Sequence, residues 1–123
     1  MKETFAALLM CAGITVVQAS DQSCTALHRL ALKDTVLTAT FIEPAPQWVV
    51  ENDTLTRAAV AVAEPFCRVQ GRIEQEIEFE VWLPPPSRWN GKHLGVGNGG
   101  YAGFINYSSL AHGLKRGYAT AST

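Results

Sequence analysis

The chain has 123 residues, of which 47% are hydrophobic and 17% are charged, and its formal net charge is −1 at pH 7. This composition is typical of one small globular domain or of part of a larger one. The basic residues are scattered rather than clustered, so neither the charge nor its distribution indicates a nucleic-acid partner.

The first nineteen residues have the pattern of a secretory signal peptide. Lys2 provides a weakly basic start, an apolar run follows from Phe5 to Val17, and Ala19 ends an acceptable cleavage site. The run is too short to span a bilayer. We therefore expect cleavage after Ala19, with Ser20 as the near alternative. This predicts a mature chain of residues 20–123, a secreted or periplasmic location and no membrane partner.

Two cysteines, Cys24 and Cys67, remain after cleavage. An even pair in a protein bound for an oxidising compartment predicts a disulfide. Two buried free thiols are the alternative. A zinc site is less favoured, because the cysteines lie far apart in the sequence without a neighbouring histidine. We therefore predict no metal site in this chain.

The mature chain is predicted to begin with a short helix and to continue mostly as strands. Ser23 can cap the first helical turn. The β-branched segment 35–43 predicts a strand, and the prolines of segment 44–54 predict a surface excursion. A further strand follows and is interrupted near Pro65.

The clearest periodicity lies in the segment RIEQEIEFEVWLP, residues 72–84. Its apolar residues share one parity: Ile73, Ile77, Phe79, Val81 and Leu83. Its glutamates share the other: Glu74, Glu76, Glu78 and Glu80. This alternation predicts a strand with one solvated face, so the carboxylates are assigned to water rather than to calcium binding or acid catalysis. A tight bend near residues 74–76 that divides the segment into a hairpin is left open.

The second half of the chain has the order strand, glycine loop, helix, strand. KHLGVG begins a strand at Lys92, and SSLAHGLKRG predicts a helix with Ser108 or Ser109 as its N-cap and Gly117 as its C-cap candidate. YATAST, from Tyr118 to Thr123, closes the unit as a short strand. This is a βαβ unit, which predicts an α/β fold with a parallel pair of strands.

The loop of this unit has five glycines between Gly95 and Gly103. Residues 95–100 satisfy G-x-G-x-x-G, but a dinucleotide site needs a helix at the third glycine and an acidic residue about 20 positions further on. Here residues 101–107 intervene before the helix, and no Asp or Glu follows Glu80. We therefore predict no cofactor.

Four stretches resemble, in this order and at these separations, the N-terminal portion of the tannase and feruloyl esterase family, which includes the bacterial hydrolase of mono(2-hydroxyethyl) terephthalate. They are EPFCRVQGRI, IEFEVWLP, WNGKHLGVGNGGYAG and LKRGYATAST. The resemblance covers about residues 24–123, and the glycine loop is its strongest part. It implies an α/β-hydrolase fold with a Ser-His-Asp triad, an inserted lid domain and secretion with disulfides.

In such folds, one oxyanion-hole N–H comes from the glycine-rich loop that precedes the first major helix. The resemblance therefore implies that the backbone of Gly99, Gly100 or Tyr101 donates to the oxyanion, without a choice among the three. It also implies a small aromatic ester, of the gallate, ferulate or terephthalate type, as the substrate of the complete enzyme.

The sequence departs from the family pattern because it contains no G-x-S-x-G nucleophile motif. The nucleophile, acid, base and lid are not in this chain. We therefore expect an incomplete N-terminal part of an α/β-hydrolase domain, inactive alone. The alternative is a small secreted β-rich binding module without catalysis. The sequence does not predict an oligomeric state.

Overall fold

The computed structural model of the chain describes residues 17–50, 58–100 and 103–123. These ranges contain two α-helices, one 3₁₀ helix and seven strands. In chain order they are α1 (Val17–Thr25), the 3₁₀ helix (Ala26–Arg29), β1 (Thr35–Ile42), β2 (Trp48–Val50), β3 (Val60–Val62), β4 (Phe66–Ile73), β5 (Ile77–Leu83), β6 (His93–Gly95), α2 (Tyr107–Lys115) and β7 (Ala119–Ser122). Ser23 lies inside α1 rather than at its N-cap. Most of the predicted signal segment lies outside the described residues and stays a prediction.

Five of these strands form one mixed sheet in the order β1-β4-β5-β7-β6. The pairs β1–β4, β4–β5 and β5–β7 are antiparallel, whereas β6 and β7 are parallel. Parallel neighbours cannot be joined by a hairpin, so α2 forms the crossover between them. Strands β2 and β3 form a separate antiparallel pair. The predicted α/β class, with antiparallel strands leading into a strand, glycine loop, helix, strand unit, is confirmed.

Strands β4 and β5 form a hairpin whose turn lies in the glutamate-rich segment. Glu74 and Gln75 have φ angles of 50° and 63°, in the left-handed region that residues other than glycine rarely adopt. The turn places Ile73 opposite Ile77. The bend that the sequence left open is therefore present.

A disulfide lies on one face of the sheet. Cys24 of α1 is bonded to Cys67 of β4, with their Cα atoms 5.5 Å apart. Both sulfur-bearing side chains are buried and pack against Val69. The bond joins residues separated by 43 positions, and the chain-entropy model assigns such a loop closure about 4 kcal/mol of stabilisation.

The opposite face is covered by α2 and by the β2–β3 pair. Its core consists of Val62, Phe66, Trp82, Leu110 and Leu114. Glu78 and Glu80 lie on this face together, as their parity predicts, but Trp82 has the same parity and is fully buried, and Glu80 is only 3% exposed. The prediction of a solvated glutamate face is therefore wrong at Glu80. Glu78 and the turn residues Glu74 and Glu76 are exposed.

The caps of α2 differ in part from the prediction. The N-cap is Asn106, whose Oδ1 accepts a hydrogen bond from the backbone N–H of Ser109 at 3.1 Å. Ser108 and Ser109 lie inside the first turn, so their assignment as N-cap is wrong. The C-cap is Arg116. Gly117, the predicted C-cap, lies one position beyond it with a φ of 82°, so this assignment is wrong by one residue.

Candidate functional site

The glycine-rich loop leaves the sheet at the carboxyl end of the parallel pair. The backbone N–H of Val96 donates to the carbonyl of Ala121 at 2.7 Å, which extends the β6–β7 pairing beyond Gly95. The loop then enters α2 at Asn106. In open α/β sheets, ligands bind beyond the carboxyl ends of the strands. The loop therefore lies where a ligand site is expected.

Two of the three predicted donor residues lie in the described part of this loop. Gly99 and Gly100 are both exposed, whereas Tyr101 lies outside the described residues. Gly100 has a φ of 69°, a conformation that favours glycine. A Cβ added at either glycine would meet no atom within 4 Å among the described residues. Packing against these residues therefore does not explain Gly99, and this side of the backbone is open to a small molecule.

Two asparagine side chains that the sequence did not indicate cross-link the neck of the loop, which consists of residues 97–98 and 104–106. Asn98 Nδ2 donates to the carbonyl of Phe104 at 2.7 Å and to that of Thr123 at 3.1 Å. Asn106 Nδ2 donates to the carbonyl of Gly97 at 3.2 Å. In the sequence, the tip of the loop (residues 99–103) lies between these two cross-links, and Gly99 and Gly100 are the predicted donors that the structure describes.

Beneath the start of α2, the buried carboxylate of Glu80 accepts hydrogen bonds from four side chains. Its donors are Arg68 Nε (2.9 Å) and Nη2 (2.5 Å), Trp82 Nε1 (2.8 Å), Tyr107 Oη (3.0 Å) and Gln70 Nε2 (3.3 Å). The Arg68 guanidinium also stacks over Trp48, 5.1 Å from the ring centroid. A buried charge is tolerated when it is paired and hydrogen-bonded. Because Tyr107 is the first residue of α2, this cluster attaches the helix start to the sheet.

The cluster shifts two pKa values. Burial raises the pKa of Tyr107, and the negative charge of Glu80 adds to the effect, so that this pKa rises from 10.0 to about 12. Burial alone lowers the pKa of Arg68, but the hydrogen bond and charge of Glu80 outweigh it, and the pKa is raised. Tyr107 and Arg68 therefore stay protonated at neutral pH. We assign the cluster to structure rather than to acid–base chemistry.

Residues 17–50, 58–100 and 103–123 contain neither a metal-ligand cluster nor a membrane-spanning helix. No group of three or more His, Cys, Asp or Glu side chains there is arranged to hold a metal ion. None of the helices in the same ranges has the length and apolar character needed to cross a membrane.

The order of the elements and the place of the loop can be compared with known proteins. A model of the family described as tannase and feruloyl esterase matches residues 57–123, which include the loop, α2 and β7. The chain belongs to the tannase and feruloyl esterase family. The resemblance inferred from the four sequence stretches is thereby confirmed.

Two relatives show how much of an esterase the chain represents. It is 39% identical over 115 residues to an uncharacterized esterase of Xanthomonas campestris pv. campestris, covering 90% of this chain and 19% of the relative. It is 38% identical over 77 residues to a probable feruloyl esterase B-2 of Aspergillus flavus, covering 58% of this chain and 14% of the relative. The chain thus spans about a fifth or less of the length of these relatives.

Solved esterase structures share the fold. An esterase from Aspergillus oryzae superposes with a TM-score of 0.69 and 24% identity, covering 83% of this chain and 21% of that structure. Feruloyl esterase B from Aspergillus oryzae gives a TM-score of 0.65 and 20% identity, covering 82% of this chain and 20% of that structure. The fold of this chain is therefore similar to part of each of these structures.

Proposed function

We propose that this chain is the N-terminal part of a secreted carboxylic ester hydrolase, in which the backbone at residues 99–101 donates to the oxyanion. The observation that carries the proposal is the exposed glycine backbone at the carboxyl edge of β6, in a chain of this family. Without a Cβ, glycine lets a carbonyl oxygen approach the backbone N–H groups closely.

In the complete enzyme, a serine supplied by sequence outside this chain attacks the ester carbonyl, with a histidine and an acidic residue activating it. Negative charge develops on the carbonyl oxygen, and the loop amides stabilise it. The alcohol then leaves, and water hydrolyses the acyl-enzyme. Each oxyanion donor of this kind contributes about 10²- to 10³-fold to kcat. The lack of a G-x-S-x-G motif in the sequence supports a nucleophile supplied from elsewhere.

The substrate class we propose is an aromatic carboxylic ester of the gallate, ferulate or terephthalate type. Relatives named as feruloyl esterases support the choice of an aromatic acyl group. Secretion is supported by the disulfide between Cys24 and Cys67, because such bonds persist in oxidising compartments.

The test uses the complete protein that contains these residues. It is assayed with methyl ferulate, methyl gallate and an aliphatic methyl ester, and treated with a fluorophosphonate probe that labels activated serines. We expect hydrolysis of the aromatic esters and a labelled serine outside residues 1–123, whereas residues 20–123 alone are inactive.

Two outcomes would contradict the proposal. Ester turnover by residues 20–123 that is lost on mutation of Ser108 or Ser109 would place the nucleophile inside this chain. A complete protein without any ester turnover would favour the β-rich binding module.

A further inference from the structure

We infer that Asn98 and Asn106 are positioning residues that hold the amides of Gly99 and Gly100 in place for the reaction. This inference rests on the proposed function. The two side chains cross the neck of the loop in opposite directions. Asn98, near the entry, donates forward to the carbonyl of Phe104, and Asn106, at the exit, donates back to the carbonyl of Gly97.

The cross-linked neck is also attached to the sheet. The second hydrogen bond of Asn98 goes to the carbonyl of Thr123, directly after β7. The backbone N–H of Asn106 donates to Ser122 Oγ at 3.1 Å. Strand β7 lies between β5 and β6 in the sheet. The position of the neck is therefore defined relative to an internal strand and to the first turn of α2.

A glycine-rich tip needs such a support for physical reasons. Glycine has more backbone freedom to lose than any other residue, while an oxyanion donor has to be held within about 0.5 Å of its working position. Hydrogen bonds from side-chain amides to the neck carbonyls reduce the freedom of the tip before substrate binds. The asparagines act through the loop backbone and are assigned no contact with the substrate.

The variant Asn106→Asp separates this role from helix capping. Aspartate keeps the acceptor for the N–H of Ser109 but lacks the Nδ2 donor to Gly97. Asn90 provides a matched control at the opposite end of β6: its Oδ1 accepts from the N–H of Lys92 at 2.9 Å, and its Nδ2 donates to the carbonyl of Arg116 at 3.0 Å. Asn90→Asp therefore makes the same chemical change away from the glycine loop.

The dipole of α2 makes Asn90→Asp a stringent control for effects on stability. A carboxylate is favourable near the N-terminus of a helix and unfavourable near its C-terminus. Asn90 contacts the C-terminal end of α2, whereas Asn106 caps its N-terminal end. Asn90→Asp is therefore expected to lower stability at least as much as Asn106→Asp, so loss of stability cannot explain a selective effect of the latter on the reaction.

The variants are compared in the complete protein. We expect Asn106→Asp and Asn98→Ala to lower kcat about tenfold or more with KM within about threefold, because the support acts on the transition state. Asn90→Asp is expected to keep kcat within about twofold. Without substrate, hydrogen exchange of the peptide spanning residues 97–106 is expected to be faster in Asn106→Asp and Asn98→Ala than in the parent or Asn90→Asp.

The inference is overturned if both loop variants keep the parental kcat, or if Asn90→Asp lowers kcat equally. The exchange experiment distinguishes its failure from that of the proposed function. If the complete protein hydrolyses no ester, the proposed function fails. Hydrogen exchange alone then tests whether the two asparagines restrain the loop. Exchange that is unchanged in both loop variants rejects it, whereas faster exchange confined to them supports it.

Discussion

At the scale of single residues, the charge of Glu80 is stabilised by protein side chains, because the carboxylate is buried away from water. The Arg68–Glu80 ion pair has side chains that are 18% and 4% exposed. The neighbouring Arg72–Glu78 pair on the same two strands has side chains that are 56% and 62% exposed. Removing one partner of a buried pair leaves an uncompensated charge, whereas exposed pairs contribute little to stability. The two pairs therefore join the same two strands but contribute differently to stability.

This contrast gives the first prediction. Glu80→Gln is expected to lower the free energy of unfolding by about 3 to 5 kcal/mol, because it leaves the largely buried Arg68 charge unpaired. Glu78→Gln is expected to cost less than about 1 kcal/mol. Urea denaturation of the two variants in the same background measures both. Similar small losses for the two would show that Glu80 is not the electrostatic centre of the cluster.

Tyr107 gives a pH-dependent prediction, because its pKa in the folded protein is raised from 10.0 to about 12. Below pH 10, the folded and unfolded states both hold the proton. Between pH 10 and about 12 the unfolded chain has released it while the folded protein retains it, so this contribution to stability is lost as the pH rises.

Tyr107→Phe removes this titration. The free energy of unfolding of the parent, relative to that of Tyr107→Phe, is therefore expected to fall as the pH rises through this window. Because the two proteins share all their other ionisable groups, the contributions of those groups to the pH dependence cancel in the comparison. A difference that stays constant from about pH 9 to about pH 11 would contradict the raised pKa.

At the scale of elements, β5 shows what alternation can and cannot predict. Alternation of side chains is a property of the extended backbone, so the strand and the residues sharing each face were predicted from sequence. Which face is wet depends on neighbours. Glu80 is compensated by Arg68, 12 positions earlier, and the two meet only after the hairpin forms. Trp82 has the same parity as the glutamates, and a large aromatic residue on this face indicates that part of the face is buried.

The loop and α2 show a second limit. Asparagine and serine are all good N-caps, so the sequence did not distinguish Asn106 from Ser108 or Ser109. Asn106 also donates to the carbonyl of Gly97 across the loop, a contact that the local sequence does not indicate. Likewise, asparagine is common in turns, but nothing local indicates that Asn98 binds Thr123, 25 positions away.

Gly113 in α2 gives a prediction for the packing of the helix on the sheet. A Cβ at this position would lie 2.5 Å from Thr120 Cγ2 and 3.0 Å from Leu94 Cδ2. In a free helix, Gly→Ala stabilises by about 1 kcal/mol. Here we expect Gly113→Ala to destabilise the protein by about 1 to 3 kcal/mol through overpacking.

The control for this prediction removes the nearest methyl group. Thr120→Ser deletes Cγ2 and keeps the hydroxyl that donates to the carbonyl of Leu110 at 3.3 Å. The double variant Gly113→Ala/Thr120→Ser should recover part of the stability lost by Gly113→Ala alone. Thermal unfolding of the four proteins in the cycle measures this coupling. A stabilising Gly113→Ala would show that the helix has room to shift.

At the scale of the whole molecule, the sheet formed by the described residues has two edge strands, β1 and β6. Open strand edges recruit other chains, and Val36 on β1 is 68% exposed. We expect residues 20–123, purified alone, to self-associate with increasing concentration in sedimentation velocity experiments. Val36→Lys, which places a charge on the edge strand, should reduce the association. A monomer at all concentrations would contradict this prediction.

The family resemblance makes a more specific prediction for the site than the local pattern does. It implies that the loop between β6 and α2 is an oxyanion loop, whereas the glycines alone are compatible with a tight turn. The loop lies at the carboxyl edge of a parallel pair, as an oxyanion loop of this fold requires. In the proposed function, the nucleophile with its base and acid comes from residues outside this sequence. The role of the loop amides is therefore tested in the complete enzyme.

Gly100 and Gly91 form a matched pair for that test. Their φ angles are 69° and 80°, and a Cβ at either position meets no atom of the described residues within 4 Å. Alanine at either site is therefore strained by about 1 to 2 kcal/mol without a collision. A loop that relieves this strain changes φ and redirects its amides. We expect both variants to lose similar stability, and only Gly100→Ala to lower kcat.

The expected fall for Gly100→Ala approaches the loss of one oxyanion donor, about 10²- to 10³-fold in kcat, whereas Gly91→Ala stays within about twofold of the parent. Steady-state kinetics and thermal unfolding of the complete enzyme measure the two quantities. Proline at position 99 or 101 removes an N–H outright and complements the alanine variants. If these variants stay folded and all keep kcat within a few-fold of the parent, the glycine loop is a turn without a role in the chemistry.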